Sequence, residues 1–351
     1  IQMIILTVVL IFILFYLTNI FGGFRSMFNY FPDQRNVNLN FFEHGLGDGK
    51  EFAFWPMLIG GFFLYMSYYG CDQSQMQKAL CAKNQNEGQK VFFLNGIFRF
   101  PLVLLYCLIG VGIGSYSEIN ADFISSLPKQ DGIPNFNLAV PIFLIDNLPI
   151  GIVGLTLVAL FSAAMSSLDS VLNSLSAVTM EDFVKRIKTF RYLSEKNNLF
   201  ISRVITLFWG SLAIILAFYV EDISSNVLIA INKIGSLING PIIGVFTLGI
   251  LTKKINGNSA CIGIICGFLF NLYCWVYLVK VSWLWWNAIG FVVTLKIAIV
   301  HDFFFSNFQA KETVVWSLKS FKILHFNNTW KTRYIILFIW FILIFSLIYF
   351  F

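Results

Sequence analysis

The sequence predicts an all-α polytopic membrane protein with about nine transmembrane helices, and three observations carry that prediction. Of 351 residues, 58% are hydrophobic and 12% charged, whereas soluble domains carry about 45–50% apolar and about 25% charged residues. Forty phenylalanines cannot share one water-surrounded core in a chain of this size, while a bilayer accepts apolar side chains over every helix surface. The apolar residues also fall in runs long enough to cross about 30 Å of hydrocarbon, and basic residues favour every second loop between those runs.

In chain order, a window of about 19 residues places spans at 4–21, 52–70, 91–115, 151–180, 199–220, 227–251, 260–279, 281–305 and 334–351, with ends good to about three residues. The first and third are apolar almost throughout. The second stops at Gly70, yet Cys71-Asp72-Gln73-Ser74-Gln75-Met76-Gln77-Lys78-Ala79-Leu80 has good helix formers and few breakers. That predicts a span broken near Gly70 with an amphipathic inner half. The fourth is the least uniform, with serine, aspartate and asparagine in its second half. In the sixth, Gly240-Pro241 removes one backbone donor and permits a kink. The long connections 22–51 and 116–150 hold polar and proline-bearing stretches, which suit short surface helices or irregular connectors equally.

Loops after the second, fourth, sixth and eighth spans hold fifteen lysines and arginines, and those after the first, third, fifth and seventh hold five. The first group is therefore expected in the cytoplasm. The sequon Asn327-Asn328-Thr329 then lies inside and should stay unmodified. The chain enters its first span without a charged leader and reads as one cut at its front, with no signal peptide. The six cysteines lack paired metal spacing or a secreted framework and read as packing residues. Net charge is +6, without the basic, aromatic-interleaved stripe that nucleic acid requires. His44, His301 and His325 are scattered and read as surface or interfacial groups. No HExxH, Walker loop or nucleophile elbow occurs, so neither enzymatic activity nor a cofactor is expected.

Polar groups inside a span are costly and usually face a cavity. The fourth span has the densest set, running from Ser162 to Ser174. Ala163, Ser166, Ser170 and Asn173 recur at three or four residues, flanked by Ser167, Asp169 and Ser174 within about one helical step. Small residues admit a close neighbour, and hydroxyls with a carboxylate supply hard oxygens that suit Na+. The same residues equally suit a packing seam whose hydroxyls bond back to the preceding turn. Met66-Ser67-Tyr68-Tyr69-Gly70 marks either a break with exposed backbone groups or a plain helix end with an interfacial tyrosine pair. Lys233 lies about six residues from the outer end of its span, roughly 9 Å deep. Its stem can snorkel to the surface, or its ammonium can face a cavity and attract a carboxylate.

At these three places the sequence resembles the sodium/solute symporter family. Tyr68-Tyr69-Gly70-Cys71-Asp72-Gln73-Ser74-Gln75-Met76-Gln77-Lys78 through Ala82-Lys83-Asn84 looks like that family's GxDQxxxQR…AAKN stretch. Lys78 replaces the usual arginine there, keeping the charge and losing the planar fork. Ala163-Ala164-Met165-Ser166-Ser167-Leu168-Asp169-Ser170-Val171-Leu172-Asn173-Ser174, running to Thr179 and Asp182, is similar to its AAxxSSLDSxLNS…TxxD motif. Asn232-Lys233-Ile234-Gly235-Ser236 with Gly240-Pro241 resembles its kinked span. Three motifs in order are far more specific than one, and the resemblance extends from residue 1 to about 305.

The resemblance implies a LeuT-like inverted-repeat fold of which these helices form the second half. The first span matches the last helix of repeat one, the second to sixth match repeat two, and the last three are C-terminal additions. About five helices, including the broken first one, are then expected ahead of Ile1. The core occupies 1–305, a cytoplasmic loop 306–333 and a final span 334–351. The resemblance implies that Na+ is held by the carbonyl of Ala163 and the hydroxyls of Ser166 and Ser167, together with backbone oxygens of that absent first helix. A second sodium site, where present, uses Ser166, Asp169 and Ser170 with an acid just ahead of Ile1. For solute, it implies Tyr68 or Tyr69 as an inner gate, Ser67 nearby, and Lys233 where sugar-transporting relatives usually present glutamine. Lysine there favours an anionic or carboxylate-bearing solute, unless the side chain snorkels.

The expected function is sodium-coupled symport of a small organic solute by alternating access in the cell membrane. Na+ is the coupling ion, solute and lipid bilayer are the partners, and no obligate protein partner is evident. A non-transporting sodium or solute sensor of the same fold, or an inactive truncated remnant, is the alternative. The expected cytoplasmic segment 306–333 is too short for a kinase or other signalling domain, which counts against the sensor.

Overall fold

A computed structural model describes residues 2–32, 40–130, 132–190, 194–219, 226–252, 255–305 and 328–350. The chain divides into two compact units, one formed by 1–37 and 97–227 and the other by 38–96 and 228–351.

The first unit is built on α1 (Gln2–Ile20) and α8 (Ile150–Val178), which pack together. Leu6, Val9, Leu10, Ile13 and Leu17 recur at helical spacing on α1 and are buried, while Ile4, Val8, Ile11 and Phe15 on the other side are exposed. The core also takes Ile109 and Ile113 from α5 (Gln85–Ile119), Phe143 from α7 (Ala139–Asn147) and Ala159 from α8. Two further short helices, α2 (Phe24–Asn29) and α6 (Ala121–Ser126), and a two-residue antiparallel pair, β1 (Lys129–Gln130) with β2 (Ile133–Pro134), fill the long connections. They are tied down: the Ser115 hydroxyl donates to the Met27 carbonyl at 2.7 Å, and Tyr116 OH donates to Asn147 Oδ1 at 3.0 Å. The Tyr116 ring also meets Phe123 and Phe143 edge to face.

Past Val178, α8 widens into a π-turn, Thr179–Phe183. There the Trp209 indole of α9 (Glu195–Ala217) donates to Thr179 Oγ1 at 3.0 Å. A further tie joins the same two helices, where the Ser176 hydroxyl lies 3.0 Å from both oxygens of Ser202.

The second unit centres on α10 (Val227–Leu251), α11 (Gly257–Tyr277) and α12 (Trp283–Phe305). Glycines set the α11–α12 spacing: a Cβ on Gly263 would stand 2.7 Å from the Thr294 carbonyl oxygen, and one on Gly267 2.1 Å from Thr294 Oγ1. Pro241 sits inside α10 with no N–H to give the Leu237 carbonyl. Asn271 makes good that loss, its Nδ2 donating to the carbonyls of Leu237 at 3.0 Å and Ser236 at 3.3 Å.

The predicted second span is a π-turn, Pro56–Gly60, continuing into α3 (Gly61–Gly70), and the expected break follows it. The Ser67 carbonyl accepts the N–H groups of both Cys71 and Asp72, and Asp72 then caps α4 (Gln73–Leu80) by accepting from Ser74 N at 2.7 Å. Eight helices are long and apolar enough to cross a membrane among the described residues. The second of the nine expected spans is the one too short to count with them.

The last helix, α13 (Asn328–Phe350), begins ahead of residue 334. Its Trp330 donates to Asn86 Oδ1 at 2.9 Å, and the Arg333 guanidinium stacks over Trp330 and Phe93. Residues 306–327 of the expected cytoplasmic loop, the sequon's Asn327, His325, Lys253 and Lys254 lie outside the described residues. Cys274 alone of the six cysteines is buried; Cys81, Cys107 and Cys261 are exposed rather than packed. His301 is half-buried, hydrogen-bonded to Ser259 at 3.0 Å and stacked on Phe305.

Candidate functional site

Residues singled out in the sequence fall into three places. Ala163, Ser166, Ser167, Asp169 and Ser170 lie on α8 in the first unit. Ser67, Tyr68 and Tyr69 end α3 in the second unit, where Lys233 sits on α10.

On α8 both Ser166 Oγ and Ser167 Oγ donate to the Ala163 carbonyl, at 2.9 and 3.2 Å. Ser170 Oγ donates to the Ser166 carbonyl at 3.2 Å, and Asn173 Nδ2 donates to Asp169 Oδ1 at 3.2 Å. The bonding is that of hydroxyls folded back on their own helix. It has a chemical consequence: a hydroxyl whose one proton is committed to a backbone carbonyl turns only lone pairs to its surroundings. Burial follows a pattern of its own. Thr156, Ala159, Ser174 and Ser176 are buried and Ala163 and Ser170 half-buried, but every residue from Ala164 to Asp169 is exposed. The seam is therefore open where its acceptor oxygens are concentrated.

At the foot of α3, Ser67 is buried and its carbonyl holds the break. Tyr68 OH accepts from Gln75 Nε2 at 2.9 Å, and Tyr69 OH donates to Asn95 Oδ1 at 3.0 Å. The two rings meet edge to face at 5.0 Å. The pair thus braces the broken span against α4 and α5.

Lys233 is paired rather than free. Its Nζ lies 2.9 Å from Glu51 Oε1, with side chains 26% and 36% exposed. Glu51 is held by a tight loop. Asp48 accepts backbone N–H bonds from His44, Gly45 and Lys50 at 2.9 to 3.0 Å. Desolvation pushes the Asp48 carboxyl up, but those three donors and the neighbouring His44 outweigh it and bring the pKa from 3.8 to about 2. The loop is clipped to the α11–α12 turn by a Leu46–Val281 bridge, and the Ser282 hydroxyl donates to the Glu51 carbonyl at 2.5 Å. Residues 54–70 form one continuous helix between Glu51 and the tyrosine pair, roughly 25 Å long at 1.5 Å per residue. Lys233 and the tyrosines therefore lie toward opposite ends of the second unit.

Beside Lys233 is a cavity of about 420 Å³. Trp275, Trp283 and Trp286 line it with Glu51, Lys233 and Lys280. Sequence reasoning passed over these tryptophans, because aromatic residues near a span end are expected of any membrane protein. It also passed over Glu51, which is 182 positions from Lys233 and reaches it only through the folded loop.

The sequence pattern of the sodium:solute symporter family matches residues 1–267. The mouse sodium-coupled monocarboxylate transporter 1 is 30% identical over 67% of this chain and 38% of its own length. The Aliivibrio fischeri sodium/sialic acid symporter NanT is 26% identical over 70% of this chain and 46% of its own. The chain thus spans about two fifths of the length of the curated relatives it matches most strongly. A solved structure of a Na+-coupled sialic acid symporter, substrate-bound and outward-open, superposes with a TM-score of 0.71, at 21% identity, covering 89% of this chain and 62% of that one. The LeuT-like fold expected from the three motifs is therefore the fold observed, in a multi-pass integral membrane protein. The chain belongs to the sodium:solute symporter family.

Proposed function

We propose that the chain forms the ion-binding half of a sodium-coupled symporter for a small organic solute. One observation carries the reading: mid-span on α8, Ser166 and Ser167 give their protons to the Ala163 carbonyl and leave oxygen lone pairs on an open stretch of helix. Lone pairs without competing donors are what a hard cation takes. Na+ bound there to Ser166 Oγ and Ser167 Oγ would swing those hydroxyl protons off Ala163 O and take that carbonyl as a third ligand, with Asp169 and Ser170 close by for a second ion, and would draw a facing backbone against the small residues of the seam. That closure couples ion to solute. Each charge moved inward gains about 2.3 kcal/mol per 100 mV.

The solute reading is that of an anion, because Lys233 stands where a neutral side chain would serve a sugar. Tyr68 and Tyr69, braced across the break, form the inner gate with Ser67.

Uptake by the full-length protein, measured with and without Na+, tests the proposal. Ser166→Ala and Ser167→Ala should each raise the Na+ concentration for half-maximal uptake by about tenfold or more, the effect of about 1.4 kcal/mol at the ion. Unchanged sodium dependence in both variants would remove the site.

A further inference from the structure

The inner corner between α5 and α13 holds an arginine that the transport reading does not use. The two helices meet there running parallel: the Trp330 indole donates to Asn86 Oδ1 at 2.9 Å, and a Cβ on Gly96 would stand 3.2 Å from Leu337 Cδ2. Between those contacts the Arg333 guanidinium carbon lies 4.4 Å from the Trp330 ring centre and 5.9 Å from that of Phe93. Ring contacts fix the plane of a guanidinium and use its faces, not its hydrogen-bonding edges. Arg333 has no ion pair or hydrogen bond among the described residues. Glu87, the acid in the first turn of α5, is already paired with Lys90. Nη1 is buried, which leaves Nε and Nη2 as the edge that a ligand can reach. Lys331 stands exposed two residues away.

The surroundings are those of a membrane interface. Tryptophan marks headgroup level, and Arg333 is three residues further into the span than Trp330, roughly 4.5 Å along the helix. Beyond it, Ile336 and Phe338 on α13 and Leu94 and Phe98 on α5 are exposed apolar residues of the kind acyl chains cover. The count of basic residues assigns this end of both helices to the cytoplasm, and the cytoplasmic leaflet carries the anionic lipids.

We propose that this corner binds the phosphate of an anionic phospholipid of the inner leaflet, with Arg333 as its ligand. A phosphodiester presents two non-bridging oxygens, which match two N–H groups on one edge of a guanidinium. The rings hold that edge in place before the lipid arrives, so little side-chain freedom is lost on binding. Lys331 adds a charge that favours an anionic headgroup over a zwitterionic one. Once bound, the lipid acts as a clasp that fastens the last span to α5. The corner lies wholly within the second unit, so it stands or falls independently of the sodium reading on α8.

Native mass spectrometry of the full-length protein in detergent micelles, titrated with dioleoylphosphatidylglycerol or dioleoylphosphatidylcholine, tests the proposal. The first phosphatidylglycerol should bind about tenfold or more tightly than the first phosphatidylcholine, and Arg333→Gln should remove most of that preference. Arg333→Lys keeps the charge and loses the fork, and should weaken phosphatidylglycerol by about threefold or more. Arg186→Gln removes an exposed charge assigned to the same side of the membrane but carried by the first unit, and should leave binding unchanged. Thermal melting checks that each variant is folded. Phosphatidylglycerol should also raise the melting temperature of the unaltered protein and not that of Arg333→Gln. Should Arg333→Gln fail to fold, the lipid preference of the unaltered protein and its change in Arg333→Lys decide.

Equal binding of the two lipids, unchanged phosphatidylglycerol binding in folded Arg333→Gln, or the same loss in Arg333→Gln and Arg186→Gln would overturn the proposal. A large molar excess of inorganic phosphate should not displace the lipid, because acyl chains also hold it. Displacement by phosphate would assign the corner to a free anion and overturn the lipid.

Discussion

At the scale of single residues, what matters is where each polar group's proton and lone pairs go. Ser166 and Ser167 show one solution, spending their protons on Ala163 and keeping acceptors outward. Asn271 shows the complementary one, spending both amide hydrogens on carbonyls of α10 next to Pro241. Asn271 is fully buried, so its loss leaves the Leu237 carbonyl, which Pro241 cannot serve, without a donor in a site water cannot reach. Asn271→Ala should therefore cost about 1–3 kcal/mol, visible as a lower melting temperature of the detergent-solubilised protein. An unchanged melting temperature would show that the Pro241 turn of α10 does not depend on this amide. The missing hydrogen bond was legible in Gly240-Pro241, but its remedy was not, because Asn271 lies thirty positions on and only the folded second unit brings it there.

At the scale of elements, apolar runs fixed the existence and order of every span, and boundaries moved where polar turns continue a helix. α10 coincides with the expected 227–251, where apolar residues end sharply. α5 starts at Gln85 rather than 91, since Glu87 and Lys90 form an ion pair one turn apart and let the helix run into its polar flank. α13 starts at Asn328 for a related reason, its first turns being held by Trp330 and Arg333 against α5. The break after Gly70 was legible, because six of the ten residues from Cys71 to Leu80 are polar and follow an apolar run in a stretch with few helix breakers. The π-turns at Pro56–Gly60 and Thr179–Phe183 were not: one extra residue in a turn leaves no mark on a hydropathy window. Of the candidate site, the α8 stripe could be read directly because its residues are neighbours on one helix. The Lys233–Glu51 pair and the tryptophan cavity could not, because they are assembled from three distant segments.

At the scale of the molecule, the contacts agree with the sidedness read from basic residues. The 44–51 loop meets the α11–α12 turn, which that count assigns to the same outer side. Asn256 and Ser259 at the start of α11 meet Asp302 near the end of α12, and Trp330 meets Asn86, all assigned inside. In a background lacking the other cysteines, a cysteine placed at Phe42, which is 94% exposed, should react with an impermeant maleimide on intact cells. Cys81, exposed just beyond α4, should react only after permeabilisation. The reverse pattern would invert the map.

The most direct measurement is equilibrium binding of radioactive Na+ to the purified full-length protein, since it bypasses solute, gradient and turnover. Ser166→Ala and Ser167→Ala should each weaken that binding by about tenfold or more, with the fold intact by thermal melting. Full-strength Na+ binding in both variants would contradict the assignment of the α8 hydroxyls as ion ligands.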